Sequence, residues 1–103
     1  MLFMVNIVVH LPGDWPKDKL DALVARETER GLQFVEEGKL RRIFRVVGQR
    51  ANFSIWEADS LEELHATLAS LPMHPYMDVS VTPIIKHPTT EAWEAANGAM
   101  PPF

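Results

Sequence analysis

Four segments of the chain are short runs rich in apolar and β-branched residues that end at turn residues, which is typical of strands. Two other segments repeat their apolar residues every three or four positions, as amphipathic helices do. The pattern predicts strands over residues 2–10, 40–47, 51–57 and 78–86, a long helix between residues 17 and 38, and a short helix that opens at residue 60.

The first strand has one wholly apolar face and one mixed face, because successive side chains of a strand point to opposite sides. A strand of this kind suits a sheet that helices cover on one face only. The apolar face consists of Phe3, Val5, Ile7 and Val9, and the mixed face of Leu2, Met4, Asn6, Val8 and His10.

Capping signals mark the ends of both helices. Asp14 is the predicted N-cap of the long helix, Pro16 lies in its predicted first turn and Gly38 ends it. Ser60 and Glu63 have the spacing of a capping box, which opens the short helix.

The element order strand, helix, strand, strand, helix, strand predicts an α+β fold of the ferredoxin-like βαββαβ type, with a four-stranded antiparallel sheet and the helices on one face. The last strand of this fold lies at a sheet edge. Pro83 falls in the predicted last strand, and a proline is tolerated there because an edge strand leaves some N–H groups unpaired. The domain is expected over residues 1–88.

Residues 89–103 form a tail that is unusually apolar for a chain end, with Trp93, Met100, Pro101, Pro102 and Phe103. Two interpretations stay open. The tail docks on a neighbouring subunit, or it is a loose end like many chain termini.

Composition limits the classes of function. The chain has 103 residues, which suits one domain, and a net charge of −4, which argues against nucleic acid as a partner. Without cysteine there is no disulfide framework and no thiolate zinc site. The first residues lack the basic region of a signal peptide, and no apolar run reaches the roughly 20 residues of a membrane span, so a cytoplasmic protein without membrane contact is expected.

Glu27 interrupts the apolar stripe of the long helix. The stripe consists of Leu20, Leu23, Val24, Gly31, Phe34 and Val35, and Glu27 lies near its middle. A carboxylate on a buried face loses hydration, which raises its pKa toward the range of a working base. The alternative is a core glutamate satisfied by one arginine or by backbone donors.

Two polar residues of the predicted sheet are further candidates. Arg45 could anchor a substrate carboxylate, or be a strand arginine with its head in water. Asn52 could donate to a developing oxyanion, or bond the turn at Gly48. Together with Glu27 they suit proton abstraction beside a carbonyl group, which needs no cofactor.

Other chemistries have weaker support. The four histidines, His10, His65, His74 and His87, have no spacing that places two on one face, so no metal site is expected. A glycine-rich phosphate loop is missing, and no serine stands in a nucleophile-elbow context.

Several segments resemble the muconolactone Δ-isomerase family, and the likeness runs without gaps to Pro88. They are Met1-Leu2-Phe3, Leu11-Pro12, Ala25-Arg26-Glu27, Arg45-Val46-Val47-Gly48, Ala51-Asn52-Phe53-Ser54-Ile55, Leu64-His65, Leu71-Pro72, Pro75-Tyr76-Met77-Asp78 and Lys86-His87-Pro88.

The resemblance implies a small ferredoxin-like subunit in a ring-like homodecamer, with pockets between subunits. It further implies an enzyme of the β-ketoadipate route of aromatic catabolism. Such an enzyme moves a proton within muconolactone to give the enol-lactone of 3-oxoadipate, without metal or cofactor.

Glu27 and Asn52 match the family and are the predicted catalytic residues. Predicted contacts to the substrate are Arg45, Arg50, His74 and Tyr76. The family commonly has Tyr where this chain has Arg50, a basic residue or His in place of Met4, and often a hydrophobic residue in place of His74. Arg50 and His74 would change a pocket wall, which bears on the substrate more than on the chemistry.

Three alternatives remain from the sequence. A chloromuconolactone dehalogenase of the same family would release chloride after similar proton removal. An oligomeric module that binds a small aromatic acid would leave a lactone unconverted. A cofactor-free oxygenase on a related dimeric barrel would consume oxygen, and the Ala-Asn-Phe-Ser and Pro-Tyr-Met-Asp segments argue against it.

Overall fold

The structure is a computed structural model that describes residues 1–101, and the predicted order of strands and helices is confirmed. Pro102 and Phe103, part of the predicted docking tail, lie outside the described residues. The elements are β1 (Leu2–Val9), α1 (Lys17–Glu36), β2 (Leu40–Arg45), β3 (Ala51–Glu57), α2 (Leu61–Ala69), a single 3₁₀ turn (His74–Tyr76), β4 (Met77–Ile84) and α3 (Pro88–Asn97).

The four strands form one antiparallel sheet in the order β2-β3-β1-β4. The strand β4 therefore lies at an edge, where it pairs with β1 alone among the described strands. Pro83 is opposite Phe3 in this pair. The predicted edge position of the strand that contains Pro83 is confirmed. Proline has no N–H group to donate to a ladder, and an edge strand tolerates this because a second neighbouring strand does not need that hydrogen bond.

One face of the sheet packs against α1 and α2, as predicted. Phe3, Val5 and Ile7 of β1 are buried on this face and are opposite Trp56, Ser54 and Asn52 of β3. The helices complete the core with Phe34, Leu64 and Leu68.

The covered face of β3 is the one that carries the polar residues. Ser54 is fully buried, and its hydroxyl accepts a hydrogen bond from Trp56 Nε1 at 2.8 Å and donates to the carbonyl oxygen of Val5 at 3.3 Å. Because both bonds are internal, the buried hydroxyl keeps its partners. The apolar Phe53 is half-exposed on the opposite, open face.

The helix ends follow the predicted signals except at the start of α1. Gly38 has φ +75°, and the N–H groups of Gly38 and Lys39 bond the carbonyls of Val35 and Phe34, which is a Schellman end. The prediction of Asp14 as N-cap is wrong. Pro16 occupies that position without a side-chain cap, since a proline disfavours helical geometry in the residue before it.

The capping box of α2 is confirmed. Ser60 Oγ accepts a hydrogen bond from the N–H of Glu63 at 3.1 Å. The Glu63 carboxylate reaches back to the N–H of Asp59 at 2.9 Å. Two N–H groups at the start of the helix are thereby satisfied.

The tail contains the helix α3, which the sequence pattern did not predict. None of its residues is buried. The chain measures 55 Å along its longest axis, and its radius of gyration of 15.9 Å exceeds the roughly 13 Å of a compact domain of about 100 residues. Among residues 1–101, no helix combines the length and the apolar character that crossing a membrane requires.

Candidate active site

A cavity of about 440 Å³ lies between α1 and the covered face of the sheet. Four of the six predicted site residues line it: Glu27 from α1, Arg45 from the end of β2, Arg50 from the turn that follows, and Asn52 from β3. The rest of the wall is mainly apolar. A largely apolar pocket with a few convergent polar groups is typical of a small-molecule site.

Strand register brings these groups together. Asn52 is opposite Arg45 on one side and Ile7 on the other, so all three side chains point to the covered face. Glu27 points to the same space because it lies on the apolar stripe of α1, above the ends of these strands.

Glu27 is partly buried, and its Oε1 accepts a hydrogen bond from the backbone N–H of Met73 at 2.9 Å. Burial raises the pKa of the Glu27 carboxyl above its ordinary value, while the Met73 bond, a smaller effect, lowers it. Within residues 1–101 no arginine bonds this carboxylate, but the Met73 N–H is a backbone donor of the kind that the alternative of a satisfied core glutamate requires. The role of Glu27 as the base stays a prediction. The backbone donor holds one oxygen and leaves the other available to a substrate.

Asn52 lines the cavity, and its side-chain oxygen is unsatisfied within residues 1–101. Its Oδ1 is buried without a hydrogen-bond partner among the described residues. The backbone carbonyl of Asn52 accepts from Asn6 Nδ2 at 3.1 Å, a contact that fixes the strand from the open face. No bond from the Asn52 side chain to the turn at Gly48 forms. A buried amide oxygen without a partner is costly in a folded chain. The NH₂ group of the same amide is the part that can donate to an oxyanion.

Arg45 and Arg50 give the cavity its positive charge. Both side chains are exposed. Arg45 Nη1 makes one long contact of 3.4 Å to the carbonyl oxygen of Gln49. A guanidinium held this weakly retains donors for a carboxylate, which it can bind with two parallel hydrogen bonds.

The other two predicted substrate contacts lie outside this cavity within one chain. His74 lines a second cavity of about 420 Å³ beside α2 and β4, where its ring meets that of His65 edge-on at 6.4 Å between centroids. Tyr76 packs edge-on against Trp15 with centroids 5.1 Å apart. Their contact with a substrate stays a prediction.

The Met73 N–H was missed by the sequence analysis, because a backbone group carries no residue-type signal. The signal available in the sequence is that Met73 stands between Pro72 and Pro75, two prolines that restrict the backbone of the loop and so help to fix the position of a backbone donor. Among the described residues, no three histidine, aspartate or glutamate side chains are grouped so that they could hold a metal ion.

Comparison with known proteins gives consistent similarities. The sequence profile of the family "Muconolactone delta-isomerase" matches residues 1–90. A muconolactone Delta-isomerase of Cupriavidus pinatubonensis is 44% identical over 90 residues, which are 87% of this chain and 98% of that protein. One from Pseudomonas aeruginosa is 38% identical over 87% of this chain and 94% of its own length.

Solved structures agree in fold. The crystal structure of a muconolactone isomerase superposes with a TM-score of 0.80 at 40% identity, and covers 86% of this chain and 93% of its own. The 5-chloro-2-hydroxyhydroquinone dehydrochlorinase of Burkholderia phenoliruptrix superposes with a TM-score of 0.61 at 19% identity over 84% of this chain and 96% of its own. The second likeness concerns the fold alone.

Proposed function

The chain belongs to the muconolactone Δ-isomerase family, and from this premise we propose that it isomerises muconolactone at the cavity beneath α1, with Glu27 as the base. One observation carries the proposal: a partly buried carboxylate with a raised pKa shares a cavity with the Asn52 amide and two guanidinium groups. The product is the enol-lactone of 3-oxoadipate, which places the enzyme in the β-ketoadipate route of aromatic catabolism.

The reaction moves one proton and one double bond. The Glu27 carboxylate takes the proton from the γ-carbon of the lactone, and the electron pair of that C–H bond forms a dienolate conjugated to the ring carbonyl. The same carboxyl group then gives its proton to the α-carbon on the same ring face. The proton that leaves the substrate returns to it, so the cycle balances without metal, nucleotide or co-substrate.

The remaining cavity residues have supporting roles in this scheme. The Asn52 amide, or a backbone N–H, stabilises the negative charge that develops on the ring carbonyl oxygen. Arg45 or Arg50 binds the side-chain carboxylate of the lactone. Met73 holds one oxygen of Glu27, which orients the other toward the substrate carbons.

The direct test is a proton spectrum of muconolactone in deuterated buffer with the enzyme added. Wild type should convert the lactone to the enol-lactone, with loss of the γ-proton signal, and Glu27→Gln should leave it essentially unchanged. A wild-type sample that binds muconolactone without converting it would overturn the proposal and favour a binding module.

The activity should depend on pH through Glu27. The base must be ionised, and burial raises its pKa above the ordinary 4.5 of a glutamate. We therefore expect kcat/KM to fall as the pH decreases through the raised pKa, with the acid limb above pH 4.5. The pH profile of kcat/KM measures this limb, and a limb at or below the ordinary value would argue against Glu27 as the base.

We expect Arg50→Gln to raise KM about tenfold with a smaller change in kcat, because a charged hydrogen bond to the substrate carboxylate is lost while the base is untouched. Arg42→Gln is the matched control. Arg42 is paired with Ile55 on the open face of β2, and its Nη1 bonds the carbonyl oxygen of Arg41. Equal KM values for the two variants would remove Arg50 from the substrate site.

We further propose that the chain acts as a homo-oligomer in the cytoplasm, with the homodecamer that the family resemblance implies. Half-exposed aromatic residues support association: Phe44 and Phe53 are paired on the open sheet face. In an assembly, His74 and Tyr76 of one subunit could complete a neighbour's cavity. Sedimentation equilibrium gives the mass, and a monomer at micromolar concentration would contradict this part of the proposal.

A further inference from the structure

Two guanidinium groups line the cavity, whereas muconolactone has a single carboxylate. Arg45 and Arg50 both belong to the cavity wall. One guanidinium is enough to bind one carboxylate, because its planar fork donates two parallel hydrogen bonds to the two carboxylate oxygens. If either arginine binds the acid arm of muconolactone, the other has no counterpart in that substrate.

Neither arginine is engaged by a carboxylate of the protein itself. Among residues 1–101 neither of them forms an ion pair, whereas Arg41 on the same strand pairs with Glu57. Glu27 is the acid of the cavity wall, and the described part of the chain binds its carboxylate through the N–H of Met73. Both guanidinium groups in the cavity therefore keep donors for a ligand.

The two arginines flank Asn52 in different directions. Arg45 is directly opposite Asn52 in the ladder between β2 and β3, and the Cβ atoms of such a pair are about 4.5–5.5 Å apart. Arg50 precedes Asn52 by two residues, a distance of roughly 6.6 Å in extended chain, and its carbonyl oxygen accepts a hydrogen bond from the N–H of Val9 at 2.9 Å. One arginine thus lies across the ladder from Asn52, and the other lies along the strand.

These positions correspond to different parts of a bound lactone. In the proposed scheme Asn52 binds the ring carbonyl oxygen, so Arg45 lies on the carbonyl side of the ring, near its α- and β-carbons. The acid arm starts from the γ-carbon, on the other side of the ring oxygen, where Arg50 is the available cation. The cavity of about 440 Å³ leaves room for a ring substituent, since cavities of about 300–1,000 Å³ hold ligands larger than a single lactone ring with a short acid arm.

We propose that the site takes γ-lactones with two carboxylates, one on the γ-carbon side that Arg50 binds and a second on the ring that Arg45 binds. The proton transfer from the γ-carbon to the α-carbon is unchanged, because the second carboxylate takes no part in it. The orientation of the lactone rests on the proposed function, but binding of the two carboxylates is tested without turnover.

Saturated lactones provide the test, because they lack the ring double bond and cannot be isomerised. The two probes are γ-carboxy-γ-butyrolactone, with one carboxylate, and β,γ-dicarboxy-γ-butyrolactone, the lactone of isocitric acid, which differs by one carboxylate on the β-carbon. Isothermal titration calorimetry of the full chain at low ionic strength gives both dissociation constants. We expect wild type to bind the dicarboxylate at least about tenfold more tightly, and added salt to reduce this preference.

Three variants separate the roles of the arginines. Arg45→Gln should abolish the preference for the dicarboxylate and leave the Kd of the monocarboxylate within about twofold of wild type. Arg50→Gln should weaken both ligands about tenfold and keep the preference. Arg42→Gln is the matched control on the open face of the same strand, and should leave both dissociation constants unchanged.

Three results would overturn the proposal. The first is equal affinity of wild type for the two lactones. The second is a preference for the dicarboxylate that Arg45→Gln leaves unchanged. The third is a monocarboxylate that Arg45→Gln and Arg50→Gln weaken equally, because both arginines would then hold the same carboxylate.

The two proposals fail in distinguishable ways. If wild type converts muconolactone but binds the two saturated lactones equally, only the second carboxylate is wrong. If the dicarboxylate is preferred through Arg45 while muconolactone is left untouched, the dicarboxylate site stands and the isomerase reaction is wrong.

Discussion

Glu27→Gln should lower kcat for muconolactone about 10²–10⁴-fold, the largest loss we expect from a single substitution. The amide of glutamine has nearly the shape of the carboxyl group and can still accept the bond from the Met73 N–H. It cannot take a proton from carbon. The loss should therefore appear in kcat with little change in KM, measured by the absorbance of the lactone or by its proton spectrum.

The matched control for this variant is Glu29→Gln. Glu29 is exposed on the same helix two residues away, so its neutralisation changes the net charge equally without touching the cavity. We expect near-normal turnover from it. Near-normal turnover from Glu27→Gln, together with the same result for Asn52→Ala, would refute the mechanism.

Stability should change in the opposite direction to activity. Because the pKa of Glu27 is raised on folding, the folded chain binds this proton more tightly than the unfolded chain, and stability decreases as the pH rises from the ordinary value of 4.5 through the raised value. At neutral pH the ionised Glu27 is therefore destabilising. Glu27→Gln should unfold at an equal or higher temperature than wild type at pH 7, which calorimetry measures and which separates a lost base from a misfolded variant.

Asn52→Ala should lower kcat about 10²–10³-fold, the typical effect of removing one donor to a developing oxyanion. Stability should change little, since the Asn52 Oδ1 is already buried without a partner and alanine removes that unsatisfied group. The substrate remains bound through its carboxylate, so KM should stay within a few-fold of wild type. Steady-state kinetics and a thermal melt of the same sample measure both quantities.

Asn6→Ala is the control for the Asn52 variant. Asn6 has the same side chain on the neighbouring strand, but points to the open face of the sheet, where it bonds the backbone carbonyl of Asn52. We expect a modest loss of stability and turnover within a few-fold of wild type. If Asn6→Ala reduced kcat as much as Asn52→Ala, the effect would come from the strand backbone and not from the amide in the cavity.

The helix α1 illustrates what a local sequence pattern can predict. A period of 3.6 residues places Glu27 on the apolar stripe, and this needs no knowledge of the rest of the chain. The structure shows in addition that only part of this stripe is buried. Phe34 is buried, whereas Val24 and Val35 of the same stripe are exposed and line the cavity.

Strand β3 illustrates what a local sequence pattern cannot predict, namely which face of a strand the helices cover. Alternation separates Asn52, Ser54 and Trp56 from Phe53 and Ile55, but it does not state which set faces the helices. Hydrophobicity alone would favour Phe53 and Ile55. In the structure the other set faces the helices, because Ser54 pairs with Val5 and Trp56 pairs with Phe3. Asn52 belongs to this set and therefore lines the cavity with Glu27.

The sequence by itself determined the order of the elements, the capping box of α2 and the position of Glu27 on its helix, because each depends on residues only a few positions apart. The edge position of the strand with Pro83 followed from the fold type that this order predicts. The tertiary structure decided the rest. Met73 meets Glu27 across 46 residues of chain. His74 and Tyr76 do not line the cavity of that carboxylate, although they lie within three residues of Met73. Such contacts depend on how strands pair and how a loop returns to a helix, which local periodicity does not encode.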